Sequence, residues 1–310
     1  MVKVFIDGKA GTTGLRIFDR LSCRKDIELL TLNDNERKNS EMRREMINSS
    51  DISFLCLPDD AAREAVSFVT GNTKIIDTST AHRTLDGWSY GFPELSQKHW
   101  ENIVNGKRIA VPGCHASGFA SLMYPLIKSG VLSVNYPITS FSITGYSGGG
   151  KKMIAEYQSE NKDVGLDSPS QYALSQNHKH LKEMQKICGF ANAPIFSPIV
   201  SNFYSGMAVS VPLFTSMLKR NVGVEEIKEI LTEHYDGSKL IKVTNSSEQD
   251  SMIAANKLSG KDTMQLVVSG NEERVILTSL FDNLGKGASG AAVECMNLML
   301  GIDETTGLEL

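Results

Sequence analysis

The stretch that most constrains the fold comes first. Val2-Lys-Val-Phe-Ile-Asp7 runs into Gly8-Lys-Ala-Gly11-Thr-Thr-Gly14 and on into Leu15-Arg-Ile-Phe-Asp-Arg-Leu21, which reads as strand, glycine-rich turn, helix. Four more short apolar runs follow, Ile27 to Leu32, Ile52 to Leu57, Lys74 to Asp77 and Arg108 to Val111, separated by helix-like segments. Strands alternating with helices predict a parallel, doubly wound sheet with ligands at the C-terminal strand ends. Gly8, Gly11 and Gly14 would let backbone amides approach a pyrophosphate at the helix N-terminus, with Thr12 and Thr13 as further donors. The spacing is GxxGxxG and not the dinucleotide fingerprint GxGxxG, so a tight turn without a ligand is the competing reading.

Which dinucleotide would bind depends on Asn33-Asp-Asn-Glu-Arg-Lys38, after the second run. Asp34 lies about 20 positions beyond the glycines, where an acid would bind the ribose hydroxyls of NAD. Arg37 and Lys38 would instead receive the 2'-phosphate of NADP, and these adjacent cations favour NADP(H); a solvated surface turn is the alternative. Pro58 falls where an adenosine or pyrophosphate edge would lie. The next run ends in Asp77-Thr-Ser-Thr-Ala-His-Arg83, with Ser79 a further cofactor contact and Arg83 a bidentate donor for an anionic substrate. Trp88 to Leu95 reads mainly as packing.

The chain's chemistry is expected at Cys114. The strand Arg108 to Val111 enters Pro112-Gly113, and Ala116, Phe119, Ala120, Met123, Leu126 and Ile127 then recur at helical spacing until Ser129-Gly130. A cysteine in the first turn of a helix meets unpaired amides and a positive dipole end, which favour the nucleophilic thiolate. A small buried cysteine packing as a hydrophobe is the bland alternative.

Beyond this helix the pattern changes. Strand-like runs at Thr139 to Gly145, Pro194 to Val200, Met207 to Phe214, Leu240 to Val243, Met264 to Val268 and Val275 to Leu280, with a helix at Val224 to His234, predict an α+β domain with a largely antiparallel sheet. Tyr146-Ser-Gly-Gly-Gly-Lys-Lys152 offers Ser147 and Lys151 for a substrate phosphate or carboxylate and Gly148 for the cofactor, or else is a flexible surface loop. In Gln176-Asn-His178-Lys-His180-Leu-Lys-Glu183, either histidine suits proton transfer and Glu183 could orient it. Two histidines one residue apart are expected to diverge, so one role for both is not expected. Asn283 and Lys286 open a small-residue run, Gly287-Ala-Ser-Gly-Ala-Ala292, and are placed to touch a ligand before an apolar helix to Leu300.

Composition limits the classes. A net charge of -4 with no basic stripe argues against nucleic acid, and no apolar run approaches the roughly 18 residues of a membrane span. Five cysteines, at 23, 56, 114, 188 and 295, form no CxxC pair, which suits a reducing, cytoplasmic setting and argues against a zinc cluster.

Together GKAGTTG, DTSTAHR, YGFPEL, VPGCHASG, SGGGKK, HKHLKE and DNLGKGASGAAV resemble the N-acetyl-gamma-glutamyl-phosphate reductase family, in the shorter of its two types, across nearly the whole chain. The resemblance implies a Rossmann-type domain at 1–113 completed by 284–310, and an α+β catalytic and oligomerisation domain at 114–283. It further implies a cytoplasmic homodimer or homotetramer that uses NADPH to reduce a small acyl phosphate, N-acetyl-glutamyl 5-phosphate, to the semialdehyde. Carried over, Cys114 matches the nucleophile, His178 the proton-transfer residue and Glu183 its support, with His180 in reserve. His115 and Ser117 depart from the longer type, where an aromatic and a Thr are common, and so does Leu181-Lys182, where Thr-Pro often precedes the Glu. Aspartate- or aminoadipate-semialdehyde dehydrogenase, and a non-catalytic dinucleotide-binding redox sensor, are the competing functions.

Overall fold

The computed structural model describes residues 1–33, 35–220, 222–245 and 252–310. The chain divides into two compact units, one of residues 1–113 with 288–308 and one of 114–287 with 309–310.

The first unit holds a six-stranded sheet in the order β2-β1-β3-β4-β6-β5. Its strands are β1 (Val2–Asp7), β2 (Ile27–Leu30), β3 (Ile52–Leu55), β4 (Lys74–Asp77), β5 (Ser89–Tyr90) and β6 (Arg108–Ala110). All are paired in parallel. Three of them end one or two residues before the apolar runs do, because the chain turns toward the next helix there. Helices α1 (Thr12–Ser22), α2 (Ser40–Ser49), α3 (Asp59–Ser67) and α4 (Gln97–Val104) make the crossovers. β5 was not foreseen: the Trp88 to Leu95 stretch adds a two-residue edge strand and a turn of 3-10 helix at Pro93–Leu95.

The apolar β1 and β3 side chains Val4, Ile6, Ile52 and Phe54 pack with Ile17 and Leu21 of α1. The same core takes Ala291, Ala292, Val293 and Met296 from α9 (Gly290–Leu300), so the end of the chain closes the unit its beginning opened. Small residues at 290–292 let α9 approach the sheet closely. Arg20 Nη1 to Ser289 Oγ (2.8 Å) and Arg24 Nη1 to Asn297 Oδ1 (2.6 Å) pin it.

The second unit contains α5 (Cys114–Lys128), α6 (Gly150–Tyr157), α7 (Leu181–Cys188) and α8 (Val224–His234). Its seven-stranded sheet runs β11-β12-β13-β10-β7-β9-β8, from β7 (Thr139–Gly145), β8 (Ser170–Gln171), β9 (Ile195–Ser201), β10 (Met207–Phe214), β11 (Ile241–Asn245), β12 (Met264–Gly270) and β13 (Arg274–Phe281). The pairing is mixed and mainly antiparallel, with parallel ladders at β7–β9 and β11–β12.

Alternation gives the sheet two unlike faces. Val209, Val211, Leu277 and Phe281 are buried on the side covered by α5 and α8. Phe141, Ile195, Phe214 and Ile276 share the other side by register and are exposed. α5 can lie close because Gly118 faces the sheet: a Cβ there would fall 2.5 Å from Val209 Cγ2 and 2.8 Å from Phe281 Cε1.

Candidate active site

The turn after β1 is built for close backbone approach. Gly8 has φ +84°, and a Cβ on it would lie 2.3 Å from the Cys56 carbonyl oxygen. Gly11 is the N-cap of α1 and supplies no capping side chain, so the first-turn amides at Thr12, Thr13 and Gly14 take no side-chain cap from it. The residues present fit a dinucleotide pyrophosphate.

Beneath the turn, Asp7 is buried and paired with Arg43 Nε of α2 at 3.0 Å, while Arg43 Nη1 reaches Glu64 of α3 at 2.7 Å. Burial pushes the Asp7 carboxyl above its usual range against the pull of Arg43. This network ties the ends of β1, α2 and α3, and sequence reasoning missed it because its members lie far apart in the chain.

Arg37 and Lys38 are exposed in the turn before α2, which is capped by Asn39 Oδ1 accepting from the amides of Glu41 and Met42. Asp34 lies outside the described residues. Pro58 caps α3. Ser79 is turned inward, its hydroxyl donating to Asp77 Oδ2 at 2.7 Å. The same carboxylate oxygen holds His82 Nδ1 at 2.6 Å, and the His82 ring stacks on Trp88 at 4.1 Å. Arg83 donates from Nε to the Val111 carbonyl (2.8 Å) and from Nη2 to that of Thr78 (3.0 Å), bracing the ends of β4 and β6.

In the second unit, Cys114 opens α5 as the spacing predicted. Burial pushes the Cys56 thiol up to about 12 and raises that of Cys188 as well, which makes both weak nucleophiles near neutral pH. Gly287 packs against Cys114, since a Cβ on it would come within 3.0 Å of Cys114 Cβ.

His178 and His180 do not diverge. They occupy a turn ahead of α7, neither strand nor helix, and their rings meet at 4.7 Å, nearly perpendicular. Both rings also contact His115, at 5.4 and 5.5 Å between centroids. The His180 amide donates to His178 Nδ1 at 3.2 Å, so a neutral His178 carries its proton on Nε2. His178 is half-exposed, whereas His180 and Glu183 are buried.

His115, next to Cys114, is buried with Nδ1 2.6 Å from Ser142 Oγ and Nε2 2.7 Å from the Tyr172 hydroxyl. Burial, with His178 and Lys179 adding, pulls its pKa down to about 3, so the ring is neutral. Sequence motifs gave no signal for Tyr172 or Ser142, which stand 57 and 27 residues from His115.

The SGGGKK stretch is a 3-10 turn at Tyr146–Gly149 followed by α6, with Lys151 exposed in the first turn of the helix. Buried Asn283 is a brace: Oδ1 accepts from the Gly206 amide (2.9 Å), Nδ2 donates to Ser147 Oγ (3.0 Å), and a Cβ on Gly148 would touch the same amide. Lys286 is buried in a π-helical turn, Gly285–Ser289. Among the described residues no cluster suits a metal ion, and no helix is long and apolar enough to cross a membrane.

Comparison with known proteins adds the family. Residues 3–103 match the semialdehyde dehydrogenase NAD binding domain and residues 114–283 the semialdehyde dehydrogenase dimerisation domain. The fold is similar to aspartate semialdehyde dehydrogenase from Francisella tularensis (TM-score 0.74, 14% identity, 97% of this chain and 100% of that one). It is also similar to the NADP complex of the Candida albicans enzyme (TM-score 0.64, 16% identity, 97% and 98%). Sequence likeness is much stronger to N-acetyl-gamma-glutamyl-phosphate reductase from Sinorhizobium fredii, 46% identical over 96% of this chain and 98% of that protein. N-acetyl-gamma-glutamyl-phosphate reductase 2 from Nostoc is 43% identical over 99% of both. The chain belongs to the N-acetyl-gamma-glutamyl-phosphate reductase family.

Proposed function

We propose that the chain catalyses the NADPH-dependent reduction of N-acetyl-L-glutamyl 5-phosphate to N-acetyl-L-glutamate 5-semialdehyde and phosphate, a step of arginine biosynthesis, through a thioester on Cys114. The observation that carries this reading is the near full-length identity to reductases of that name, with a cysteine at the start of α5 and a histidine cluster in the same unit.

The chemistry follows from the parts. Cys114 sulfur, as thiolate, attacks the acyl carbon; the C–S bond forms, the C–O bond to phosphate breaks, and phosphate departs. A thioester accepts hydride far more readily than a carboxylate. NADPH, held by Gly8, Gly11, Thr12, Thr13 and Gly14 at the pyrophosphate and by Arg37 and Lys38 at the 2'-phosphate, supplies that hydride when bound. His178, with its Nε2 proton, donates a hydrogen bond to the oxygen that gains charge on the acyl carbon and stabilises it there. The tetrahedral alkoxide left by hydride addition then collapses as its C–S bond breaks, giving the aldehyde and regenerating the thiolate. His178 suits this role better than His180 because it is open to solvent while His180 is buried. Glu183, buried on α7, supports the histidine turn. Arg83 and Lys151 anchor the substrate's anionic groups.

The oligomer is a cytoplasmic homodimer or homotetramer that pairs copies through the exposed side of the seven-stranded sheet. Phe141, Ile195, Phe214 and Ile276 there form an apolar face that a second copy would cover.

The test is phosphate-dependent reduction of NADP by the purified protein, with N-acetyl-glutamate semialdehyde and aspartate semialdehyde side by side. Preference for the acetylated substrate, lost in Cys114→Ser while NADPH still binds, supports the reading. Preference for aspartate semialdehyde, or comparable turnover by Cys114→Ser, overturns it.

A further inference from the structure

The Ser142–His115–Tyr172 chain has a direction. Ser142 lies in the middle of β7 with no exposed surface, and among the described residues its hydroxyl has one side-chain partner, His115 Nδ1 at 2.6 Å. If Nδ1 carried the proton and donated to Ser142, the serine O–H would be buried with no acceptor, which proteins avoid. The serine therefore donates to Nδ1. A neutral imidazole with an accepting Nδ1 holds its proton on Nε2. Nε2–H then donates to the Tyr172 oxygen at 2.7 Å.

The phenol's own hydrogen remains to be placed. His115 Nε2 is the hydroxyl's one partner among the described residues, and because that nitrogen is a donor, the phenol hydrogen must point elsewhere. The surroundings indicate where. His115 directly follows Cys114 in the first turn of α5, and the His178 ring lies 5.4 Å from that of His115 and 6.0 Å from that of Tyr172. The phenol keeps its proton, since burial, and after it the charge of Cys114, hold it above its ordinary pKa.

We propose that Tyr172 is a catalytic hydrogen-bond donor to the substrate's acyl oxygen at Cys114, with Ser142 and His115 as positioning residues that fix the direction of its hydroxyl. The proposal rests on the thioester reading above. It also explains why a histidine follows the nucleophile. A ring accepting at one nitrogen and donating at the other passes orientation from the core of the sheet to the site. Its low basicity keeps it from taking a second proton that would leave the serine without its acceptor.

Two measurements test it. The first is kinetic: Tyr172→Phe should lower kcat about 100-fold, the cost of losing one preorganised donor to a developing oxyanion. KM for NADP should stay within a factor of about two, as for an interaction made in the transition state. Ser142→Ala should cause a smaller loss, and that loss should vanish in the Tyr172→Phe background because the serine acts through the phenol. A kcat for Tyr172→Phe near wild type, or a Ser142→Ala loss that persists in full in that background, overturns the proposal.

The second is independent of turnover, so it separates failure of this proposal from failure of the functional reading. Nitrogen NMR of the histidine rings in the wild-type protein, with His115 assigned by the signals lost in His115→Phe, should show Nε2 protonated and Nδ1 bare between about pH 6 and 8. A protonated Nδ1 refutes the direction of the chain whatever the enzyme's substrate.

Discussion

Gly118→Ala sets two opposed effects against each other on α5, the helix that carries Cys114. In an exposed helix interior the change would stabilise by about 1 kcal/mol through backbone entropy. Here the new Cβ would lie 2.5 Å from Val209 Cγ2 and 2.8 Å from Val209 Cβ and Phe281 Cε1, against an ordinary carbon contact of about 3.5–4 Å. Roughly 1 Å of movement is needed, by the difference from that contact distance. The neighbours cannot readily give way: both are fully buried, on adjacent strands joined through pairs such as Val209 with Ser279 and Met207 with Phe281. Overpacking costs about 1–3 kcal/mol, and contacts this short against two fully buried side chains call for the upper part of that range, about 2–3 kcal/mol, which outweighs the helix term and leaves a net loss of about 1–2 kcal/mol. Urea unfolding should show a lower midpoint at unchanged slope, and Val209→Ala should recover part of the loss only in the Gly118→Ala background. Cys114 sits one turn away, and a shift of about 1 Å at a reacting group can lower kcat about 100-fold. A Gly118→Ala protein as stable as wild type or more so would refute the reasoning, since helix propensity would then have won and the contact would be soft.

The buried His115 should make stability fall on acidification. Its pKa drops from the ordinary 6.5 to about 3 on folding, so between those values the unfolded chain binds the extra proton. Stability should therefore decline by up to about 1.4 kcal/mol per pH unit below 6.5, and urea titrations of His115→Phe should lack that increment. Arg43→Ala leaves Asp7 buried and unpaired at a cost of about 3–5 kcal/mol near neutral pH. Because burial already raises the Asp7 pKa, the variant recovers as pH falls and the carboxyl protonates; a constant gap to wild type from neutral to acid pH would count against this account. Replacing Arg37 and Lys38 together by Ala should weaken NADPH about 10-fold or more while leaving NADH unchanged, as read by fluorescence titration.

The strands of the first unit were legible because parallel strands buried on both faces appear as short apolar runs. The span of α5, Cys114–Lys128, was equally plain from its apolar spacing. The histidine pair was misjudged for a local reason. Period arguments assume a strand or a helix, and His178 and His180 lie in a turn that brings their rings together. The SGGGKK stretch, read as a loop, starts a helix at Gly150, where glycines outweighed the helix formers behind them. Asn283 looked like a ligand contact, yet its amide is committed to Gly206 and Ser147, partners about 80 and 140 residues away that no local pattern reveals. Tyr172 and Ser142 belong to the same class. Each is ordinary in its own strand or loop and meets His115 only once the sheet has formed.

The contact between Gly287 and Cys114 also bears on how the chain is assembled. These residues are the last and first of the main segment of the second unit, so a segment of well over a hundred residues begins and ends at one point. To the first unit, a folded insert with touching ends is equivalent to a short loop and adds little closure entropy, although it separates β6 from α9 in sequence. The insert's core and sheet are its own, so a short linker joining 287 to 114, with new termini opened in a surface loop, should give a circularly permuted module that folds without the rest of the chain.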